Sequence, residues 1–547
     1  MTISPIRMQR FSQQAREIFT TVFYDTDMDK AIELIESINP EDVLSIAFGK
    51  CSITYYYMYC GFTMKLYLTL RELDSINRTL NDPFVHIWTH LMNFSYYSGF
   101  DKHIADRDLA IQHFERAGEW YAWYNGLFVQ NQLGVDQSVT VASNIVPDDW
   151  ERYFVTGFYL LQKGVYLRNI DNNLKSGIIS MQKGVDLLRK VPDDGEYMSK
   201  NLPFAENEVG WFHYLDGNFE EAEKRLRVAL KATSNYPNLW GSIPNGILAT
   251  INFVKGDAKS AKKFLDESLK ITKKYNFAWG MYKNLGLMGD ILSAEGRHNE
   301  ALESWNGRIE WAENIGEPSL VFFSHYTIFN YYYIRFTTTR DRDFLLKAEE
   351  ILETLEKLTK DPTDDPTPIN LTRFCQARIL KQGNLKKKGK AIEILENLGK
   401  VVVKDWQILM ELVDSLFEDV LLTGDEESIE HIDQLMEKLN EINLFSNPTM
   451  IISSISGQIL LAKYNFYIKG DPKTALEMLE KAKESVNTYN LVHITELIDT
   501  EVKILVDEMS KWDKVVHSVR ERIKTSEFTK YIQEAMESRD ILDSKIT

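Results

Sequence analysis

Cysteine is scarce in this chain of 547 residues, which contains only three. Cys51, Cys60 and Cys375 are an odd number of thiols, and such a sparse set does not make a disulfide framework. No two of them have the short spacing of a structural zinc site. We therefore expect buried, reduced thiols, which suit a reducing compartment such as the cytoplasm.

Long apolar runs and basic clusters are also missing. No stretch of about 18 uncharged apolar residues occurs, so the sequence predicts no membrane span, and no signal-peptide core follows Met1. The formal net charge of −17 disfavours nucleic acid as a partner, because its binders carry basic patches that neutralise phosphates. The one dense basic run, Lys386 to Lys388 with Lys390, is expected to be a solvated turn between two helices. These features predict a cytoplasmic protein that neither inserts into membranes nor binds nucleic acid.

Glycine and proline are scarce as well, at 28 and 14 residues, and strand-like alternation is rare. Most windows have apolar residues three and four positions apart, as in Leu302, Trp305, Ile309 and Ala312. This spacing is typical of amphipathic helices. Polar turns interrupt it roughly every 15 to 20 residues, which favours short helices packed as antiparallel neighbours. The predicted fold class is therefore all-α.

The turns between these helices share one spacing. A glycine is followed five residues later by a small residue and four residues after that by a large apolar residue. The glycine suits a left-handed helix end, the small residue allows close helix approach, and the large residue fills the groove between the helices. The clearest examples are Gly217 with Ala222 and Leu226, Gly256 with Ala261 and Leu265, Gly296 with Ala301 and Trp305, and Gly470 with Ala475 and Leu479.

This pattern resembles the tetratricopeptide repeat family, whose helical hairpins also carry a small residue in the first helix. Gly210 and Gly289 stand at that place, seven residues before Gly217 and Gly296. These glycine turns recur about every 40 residues instead of the usual 34, so the chain resembles a long-repeat variety of the family. The resemblance implies a right-handed superhelical α-solenoid of stacked antiparallel helical hairpins.

The strength of the resemblance varies along the chain. It is strongest over residues 205–310 and 460–485, and weakest over residues 120–200. In one C-terminal repeat, Asp433 stands where the large apolar residue is expected. These departures weaken the family likeness locally.

A proline-rich stretch interrupts the predicted array. Residues 361–368 contain three prolines, which disfavour helix and make the stretch either a linker between two solenoids or a long turn within one. We favour the long turn because helical hairpins flank it. The expected organisation is an N-terminal tetratricopeptide-like segment (1–360), a proline-rich turn or linker (361–369), a C-terminal tetratricopeptide-like segment (370–510) and a charged C-terminal helix (511–547).

No motif of a known active site is present: we find no phosphate-binding glycine loop, nucleophile elbow or kinase signature. His86 and His90 would share one helical face, as zinc ligands can, with His103 as a third candidate. Ordinary helix packing is the favoured interpretation of this pair. Acidic pairs such as Glu220 and Glu221 are expected to be solvated. We therefore expect no enzyme activity, no metal and no cofactor.

Aromatic runs are more unusual: Tyr55 to Tyr57, Trp120 to Tyr124 and Tyr331 to Tyr333. Adjacent side chains on a helix point about 100° apart, so one run cannot form a single surface. We favour packing in the core, and the alternative is an anchor for a partner, since Tyr and Trp are enriched at interface hot spots.

The resemblance implies that partners bind a concave face lined by the first helices of the hairpins. The Lys and Asn that grip a carboxylate in chaperone-tail-binding members are absent here. The face would be aromatic and neutral to acidic, unless the superhelix closes on itself and buries it. The residues predicted to bind a partner there are Asn207, Trp211, Tyr214, Thr250, Phe253, Asp290, Tyr464 and Tyr467.

Together these observations predict a non-catalytic interaction scaffold or adaptor that binds a peptide or protein partner in its groove. Two alternatives stay open. One is a regulatory sensor whose superhelix shifts when a peptide or small ligand binds, and the other is an all-helical enzyme with scattered acidic residues. The sequence leaves the partner's identity open, together with the question of a homo-oligomer.

Overall fold

The computed structural model describes most of the chain. It covers residues 11–22, 27–60, 63–80, 82–100, 107–133, 149–190, 198–234, 239–316, 318–360, 366–401, 406–423, 426–441 and 451–488, with short pieces between 498 and 507. These residues form 22 α-helices and no strand, which confirms the all-α class. The C-terminal helix predicted over 511–547 and His103 lie outside the described residues.

The helices pack in successive pairs, so each odd-numbered helix is the first helix of a hairpin and the next is its second helix. The first seven hairpins consist of α1 (Gln13–Thr20), α2 (Met28–Glu36), α3 (Val43–Cys60), α4 (Thr63–Asn77), α5 (Pro83–Ser95), α6 (Arg107–Leu133), α7 (Asp149–Asn169), α8 (Leu174–Leu188), α9 (Met198–Leu215), α10 (Phe219–Ser234), α11 (Ser242–Val254), α12 (Ala258–Lys274), α13 (Ala278–Ala294) and α14 (His298–Ile315). The remaining four consist of α15 (Pro318–Thr339), α16 (Arg342–Leu358), α17 (Thr367–Lys381), α18 (Leu385–Val401), α19 (Trp406–Thr423), α20 (Glu426–Glu441), α21 (Ile451–Tyr467) and α22 (Pro472–Thr488).

The structure confirms the repeat turn that the sequence predicts. All four glycines adopt the left-handed backbone conformation, with φ between 64° and 80°, which strains any residue with a Cβ atom. The small residues that follow them are fully buried, as Ala222 and Ala261 illustrate. In the first helices, a Cβ on Gly289 would lie 2.3 Å from Trp305 Nε1, so glycine is what allows that indole to pack there.

The chain divides into two compact units. The first unit contains α1 to α12, nearly all of α13, α14 and the start of α15 up to His325, and the second contains the rest of α15 from Tyr326 and α16 to α22. Near the proline-rich stretch, α17 begins at Thr367 with Pro368 in its first turn, where a missing amide donor costs no hydrogen bond. The end of the stretch that we expected to be non-helical is therefore helical.

Aromatic side chains fill the face of the N-terminal first helices. Tyr55 of α3 lies 4.9 Å from Phe204 of α9 and 5.6 Å from Trp240, measured between ring centroids. Trp88 of α5 stacks on Phe158 of α7 at 4.5 Å. The contacts of Tyr55 join hairpins that are not sequence neighbours, and the contact of Trp88 with Phe158 joins two consecutive hairpins, so the hairpins from α3 to α9 share one aromatic core. The predicted core role of the first tyrosine run is confirmed, since Tyr55, Tyr56 and Tyr57 are all buried.

The hairpin of α7 and α8 is held by four glycines that the repeat pattern does not include. A Cβ on Gly184 would lie 2.7 Å from the carbonyl oxygen of Gly157, and a Cβ on Gly177 would lie 2.9 Å from that of Gly164. The two helices therefore touch backbone to backbone. Each helix has its glycines seven residues apart, which places both on one face. Residues 120–200 resemble the repeat pattern least because glycines, and not the usual small and large apolar residues, form the contact between α7 and α8.

Gly184→Ala is expected to lower the free energy of unfolding by about 2 kcal/mol, because the new methyl group meets backbone that cannot move aside. Chemical denaturation of the purified protein measures this change. Gly389→Ala is the matched control: Gly389 lies inside α18, and a Cβ there would have no neighbouring atom within 4 Å, so the same substitution should stabilise by up to about 1 kcal/mol. Equal effects at the two positions would contradict this account of the α7–α8 contact.

Candidate partner-binding surface

The residues predicted to bind a partner lie on first helices in both units. Asn207, Trp211 and Tyr214 are in α9, and Tyr464 and Tyr467 are in α21 of the second unit. Neighbouring first helices contact each other directly: α9 contacts α11, and α19 contacts both α17 and α21. The neighbouring first helices of each unit form a continuous surface, which we call the first-helix face of that unit.

Three partly exposed aromatic rings form a platform in the first unit. Trp211 stacks on Tyr214 at 5.1 Å and Tyr214 stacks on Phe219 at 5.8 Å, with ring planes 23° and 27° apart. Ile243 of α11 packs against the same cluster. We call Trp211, Tyr214 and Phe219 the aromatic platform.

The neighbouring predicted residues contribute unequally. Phe253 of α11 is partly buried and packs in the next apolar cluster, whereas Thr250 uses its hydroxyl to donate to the carbonyl of Gly246 at 3.0 Å. Asn207 is buried, at 2% exposure, and its Nδ2 donates to the carbonyl of Trp240 at 3.4 Å. Asn207 therefore belongs to the interior beside the aromatic core and is not on the exposed face.

Asp290 of α13 is solvent-exposed and is held in place from the second helix of its hairpin. The indole Nε1 of Trp305 donates to Asp290 Oδ1 and to the carbonyl of Gly286, both at 3.3 Å. Although Asp290 keeps contact with water, partial burial by the surrounding protein raises its pKa to about 6, against the opposing effects of Arg308 and the Trp305 indole. The carboxylate is therefore less well solvated than an ordinary surface aspartate.

Arg308 of α14 reaches the same place because Gly286 has no side chain. A Cβ on Gly286 would lie 3.3 Å from the guanidinium. In this position the guanidinium of Arg308 stacks on the ring of Tyr282 at 4.3 Å, and its Nη2 donates to the hydroxyl of Tyr282 at 2.5 Å. The sequence pattern placed Gly286 and Asp290 on the face, but gave no sign that two second-helix side chains reach them.

The first-helix face of the second unit is built from paired charges, which the sequence pattern does not indicate. Arg378 of α17 donates to Glu411 of α19 at 2.9 Å, and Lys381 lies 3.1 Å from Glu411 and 2.5 Å from Asp414. Asp414 also accepts from Lys463 of α21 at 3.0 Å. These five residues, which we call the ionic ladder, connect three successive first helices.

The ionic ladder continues at both ends. On one side Arg378 donates to the side-chain carbonyl of Asn330 in α15 at 2.8 Å. On the other side Lys388 pairs with Glu418 at 2.7 Å. The prediction of a turn at Lys386 to Lys388 was wrong, because these residues lie in the first turn of α18. A carboxylate on the neighbouring hairpin compensates the charge of Lys388, so the basic run is compatible with a helix.

The ladder's charges stabilise one another. Burial lowers the pKa of Lys381, but Asp414 and Glu411 outweigh burial and hold that pKa well above its usual value. Burial raises the pKa of Asp414, but Lys381 and Lys463 outweigh it and hold that pKa well below its usual range. Both groups are therefore charged at neutral pH.

Lys381→Met should lower the free energy of unfolding by about 1–3 kcal/mol, because Glu411 and Asp414 lose their shared cation in a largely buried place, while Arg378 and Lys463 still pair with one carboxylate each. Chemical denaturation at pH 7 measures the change. Lys483→Met is the control, since Lys483 and its partner Asp499 are each 52% exposed and such a pair contributes less than about 1 kcal/mol. A loss at Lys381 no larger than the control would contradict a stabilising role of the ladder.

Asp433, the residue that departs from the repeat pattern, has a polar partner in the structure. The hydroxyl of Tyr464 donates to Asp433 Oδ1 at 2.6 Å, and Lys469 Nζ lies 3.1 Å from the same oxygen. Tyr467 packs beside Phe417 and Phe466. The role of Tyr464 and Tyr467 in partner binding stays a prediction.

His90 of α5 contacts a histidine that the sequence analysis did not consider, His113 of α6. His90 and His113 of α6 share a hydrogen bond between their Nδ1 atoms at 3.0 Å. His86 stacks on Trp120 at 3.9 Å and donates from Nε2 to the carbonyl of Leu80 at 2.9 Å. Among the described residues, no three potential metal ligands lie together. The geometry is that of hydrogen-bonded packing between two helices.

The surroundings keep these histidines uncharged. Burial, together with His113, His86 and Arg116, lowers the pKa of His90 to about 3. Burial, together with Arg116 and Arg71, lowers the pKa of His113 to about 4. The unfolded chain binds protons at these sites near pH 6.5, whereas the folded chain does not. The stability they contribute is therefore present above pH 6.5 and is lost as the pH falls towards 4.

Replacing both histidines (His90→Leu with His113→Leu) should flatten this acid dependence. The loss of unfolding free energy between pH 6.5 and pH 4 should shrink by at least about 1.4 kcal/mol, the equivalent of one pKa unit. Denaturation curves across this pH range measure it. Gln112→Ala, at an exposed neighbour of His113, should leave the dependence unchanged. An unaltered profile in the double variant would rule out the pair as the source.

Comparison with known proteins adds likenesses of architecture. No protein-family model matches the chain, and no curated protein sequence matches it. Among solved structures, it is similar to a Rap protein complexed with the Competence and Sporulation Factor (12% identity, 80% of this chain and 99% of that one, TM-score 0.46). It is also similar to the apo form of RapI (13%, 72% and 99%, 0.46) and to yeast Tom70 (14%, 95% and 98%, 0.38). At these scores the likeness says nothing about activity or ligand.

The described residues have a tetratricopeptide-like fold, because their helices pack in successive pairs and left-handed glycines form the repeat turns. Among the residues that the structure describes, no helix is both long and apolar enough to cross a membrane.

Proposed function

We propose that this tetratricopeptide-like chain is a non-catalytic interaction protein that binds an extended peptide, or such a segment of a protein, on the first-helix face of α9, α11 and α13. The observation that carries the proposal is the aromatic platform. Its stacked rings are partly exposed, and stacking fixes their orientation before a partner arrives. Rigid aromatic side chains gain contact area with little loss of conformational entropy, which is why Trp and Tyr are enriched at hot spots.

The other first-helix faces are less suited to this role. Aromatic side chains already fill the face of the N-terminal hairpins, where Tyr55 contacts Phe204 and Trp240. In the second unit the ionic ladder satisfies its own charges, so a partner there would have to compete with buried ion pairs. The platform of the first unit has neither obstacle.

Trp211→Ala should weaken binding of a partner at least about 30-fold, because truncating a hot-spot aromatic costs about 2 kcal/mol or more. A partner is first identified by affinity capture and mass spectrometry, and its binding segment is then titrated as a synthetic peptide by calorimetry. Leu68→Ala is the control, since Leu68 is 55% exposed on α4, away from this face. It should leave affinity within about twofold.

The proposal fails if peptides from every captured partner bind the Trp211→Ala protein as tightly as the unmodified chain. Circular dichroism and denaturation of each variant establish that it is folded. A partner that binds only as an intact folded domain would contradict the extended-peptide part of the proposal.

A further inference from the structure

The second helix α12 carries an exposed row of lysines on the side that faces away from α11. Successive residues of an α-helix are rotated by about 100°, so six lysines that lie apart in the sequence fall within one arc of about 120° and extend over about 22 Å. On the other side of α12, Ala261 and Leu265 are fully buried and pack with Ala249 of α11. Five of the lysines are exposed and one is partly buried. We call this row the lysine stripe, and it consists of Lys259, Lys262, Lys263, Lys270, Lys273 and Lys274.

The lysine stripe has no ion pair with a neighbouring side chain. Among the described residues, no carboxylate lies within 4.0 Å of any of its ammonium groups, and Lys274 donates only to the hydroxyl of Tyr275, at 3.2 Å. Within α12, only Asp266 and Glu267 oppose the six lysines, which gives this helix a net charge of +4. The chain as a whole has a net charge of −17, so α12 is a basic surface on an acidic protein.

Carboxylates on the two neighbouring second helices are already paired. Glu223 of α10 forms salt bridges with Arg227, at 3.7 Å, and with Lys255. Glu300 of α14 feels the charge of one lysine of the stripe, but Arg297 donates to its carboxylate at 2.7 Å. The neighbouring hairpins therefore do not neutralise the lysine stripe.

The N-terminal part of the stripe is unfavourable for α12 itself. Lys259 lies in the first turn, at the positive end of the helix dipole, where a cation is disfavoured. Lys263 follows one turn later, and like charges four residues apart repel each other. The N-cap residue Asp257 uses its carboxylate to accept from the backbone amide of Ser260 at 2.9 Å. A bound anion would relieve this repulsion.

We propose that the lysine stripe binds an extended acidic segment of a partner protein. This surface is separate from the first-helix face, because the stripe lies on a second helix and on the side away from α11. The inference therefore does not rest on the proposed function. It gives the chain a second docking surface, whose ligand is recognised by its charge.

The stripe has two clusters of charge, and this arrangement specifies the ligand further. Three lysines lie between 259 and 263 and three between 270 and 274, with Asp266 between the clusters. The centres of the clusters are about 16 Å apart along the helix. An extended chain covers this distance with about five residues. The ligand therefore has two groups of carboxylates about five residues apart, with uncharged residues opposite Asp266.

A narrow ligand fits the stripe better than a broad anionic surface does. Glu303 and Glu310 are exposed on α14, the second helix of the next hairpin. A membrane with anionic lipids would approach these carboxylates together with the lysines, and charges repel within the screening length of about 8 Å at physiological salt. A single extended chain can lie along α12 alone.

Single-stranded nucleic acid is also narrow, but its binding sites combine cations with aromatic rings on which bases stack. Phe264 is the one aromatic residue of α12, and it packs in an apolar cluster with Arg227 over its ring at 5.9 Å. Tyr275, just after α12, has Lys274 over its ring at 4.8 Å. Both rings are covered, so the stripe favours an acidic protein segment.

The test titrates the full chain into a fluorescent peptide of three glutamates, a serine, a glycine and three further glutamates, at an ionic strength of about 0.01 M. Replacing the N-terminal cluster (Lys259→Gln, Lys262→Gln and Lys263→Gln) should weaken binding at least about tenfold, because three charge pairs are lost. Fluorescence anisotropy measures the affinity. Raising the ionic strength to about 0.15 M should weaken binding to the unmodified chain.

The matched control is Lys386→Gln with Lys387→Gln and Lys390→Gln, which removes the same charge from exposed lysines of another second helix, α18. It should leave the affinity within about twofold. A peptide with six consecutive glutamates followed by serine and glycine should bind at least about threefold more weakly, because its carboxylates lie opposite Asp266. Circular dichroism establishes that each variant is folded.

Equal losses in the two triple variants would show that only net charge matters, and the lysine stripe would not be a site. Vesicles with phosphatidylserine, or an oligothymidylate, might bind in its place: if either binds more tightly than the peptide and loses binding when Lys259, Lys262 and Lys263 are replaced, the proposal of a protein segment is wrong. Trp211→Ala should not change binding of the acidic peptide. A loss with that variant would place the peptide on the first-helix face and overturn the assignment to α12.

Discussion

Close contact between the two helices of each hairpin is the constraint on which the rest of this structure depends. A second helix can lie against a first helix only where the side chains between them are small. Alanine satisfies this need at Ala222 and Ala261, and paired glycines satisfy it between α7 and α8. Glycines serve the same purpose in the first helix α13, where Gly289 and Gly286 leave room for Trp305 and Arg308 of α14 to pack against it.

The same architecture produces three different first-helix faces. Aromatic residues fill the face of the N-terminal hairpins, a smaller set of rings stays partly exposed around Trp211, and paired charges cover the face in the second unit. Each arrangement solves the same problem, which is how to occupy the space beside neighbouring first helices. Of the three, only the aromatic platform around Trp211 leaves apolar surface exposed for another molecule, and for this reason we propose that the partner binds there.

Much of the fold could be predicted because its signals are local. A left-handed glycine, a small residue and a large residue at fixed spacing specify a hairpin without reference to the rest of the chain, and Gly217, Gly256 and Gly296 behave as expected. The candidate site was predicted less well. Trp211, Tyr214 and Asp290 lie on a partly or fully exposed face, but Asn207 is buried, because its neighbours include Trp240 from a later turn. The helical register predicts the direction in which a side chain points, but it does not predict which residues from other parts of the chain pack over that side chain.

The sequence by itself determined the helical class, the hairpins and the turns between them, since spacing of three to five residues controls all three. Tertiary structure alone decided which charges pair, which rings are covered and which histidine joins His90. Those choices depend on contacts between residues far apart in the chain, such as Tyr55 with Trp240 and Lys381 with Asp414. In such contacts the energy comes from burial and charge compensation, which are properties of the packed hairpins and of no single segment.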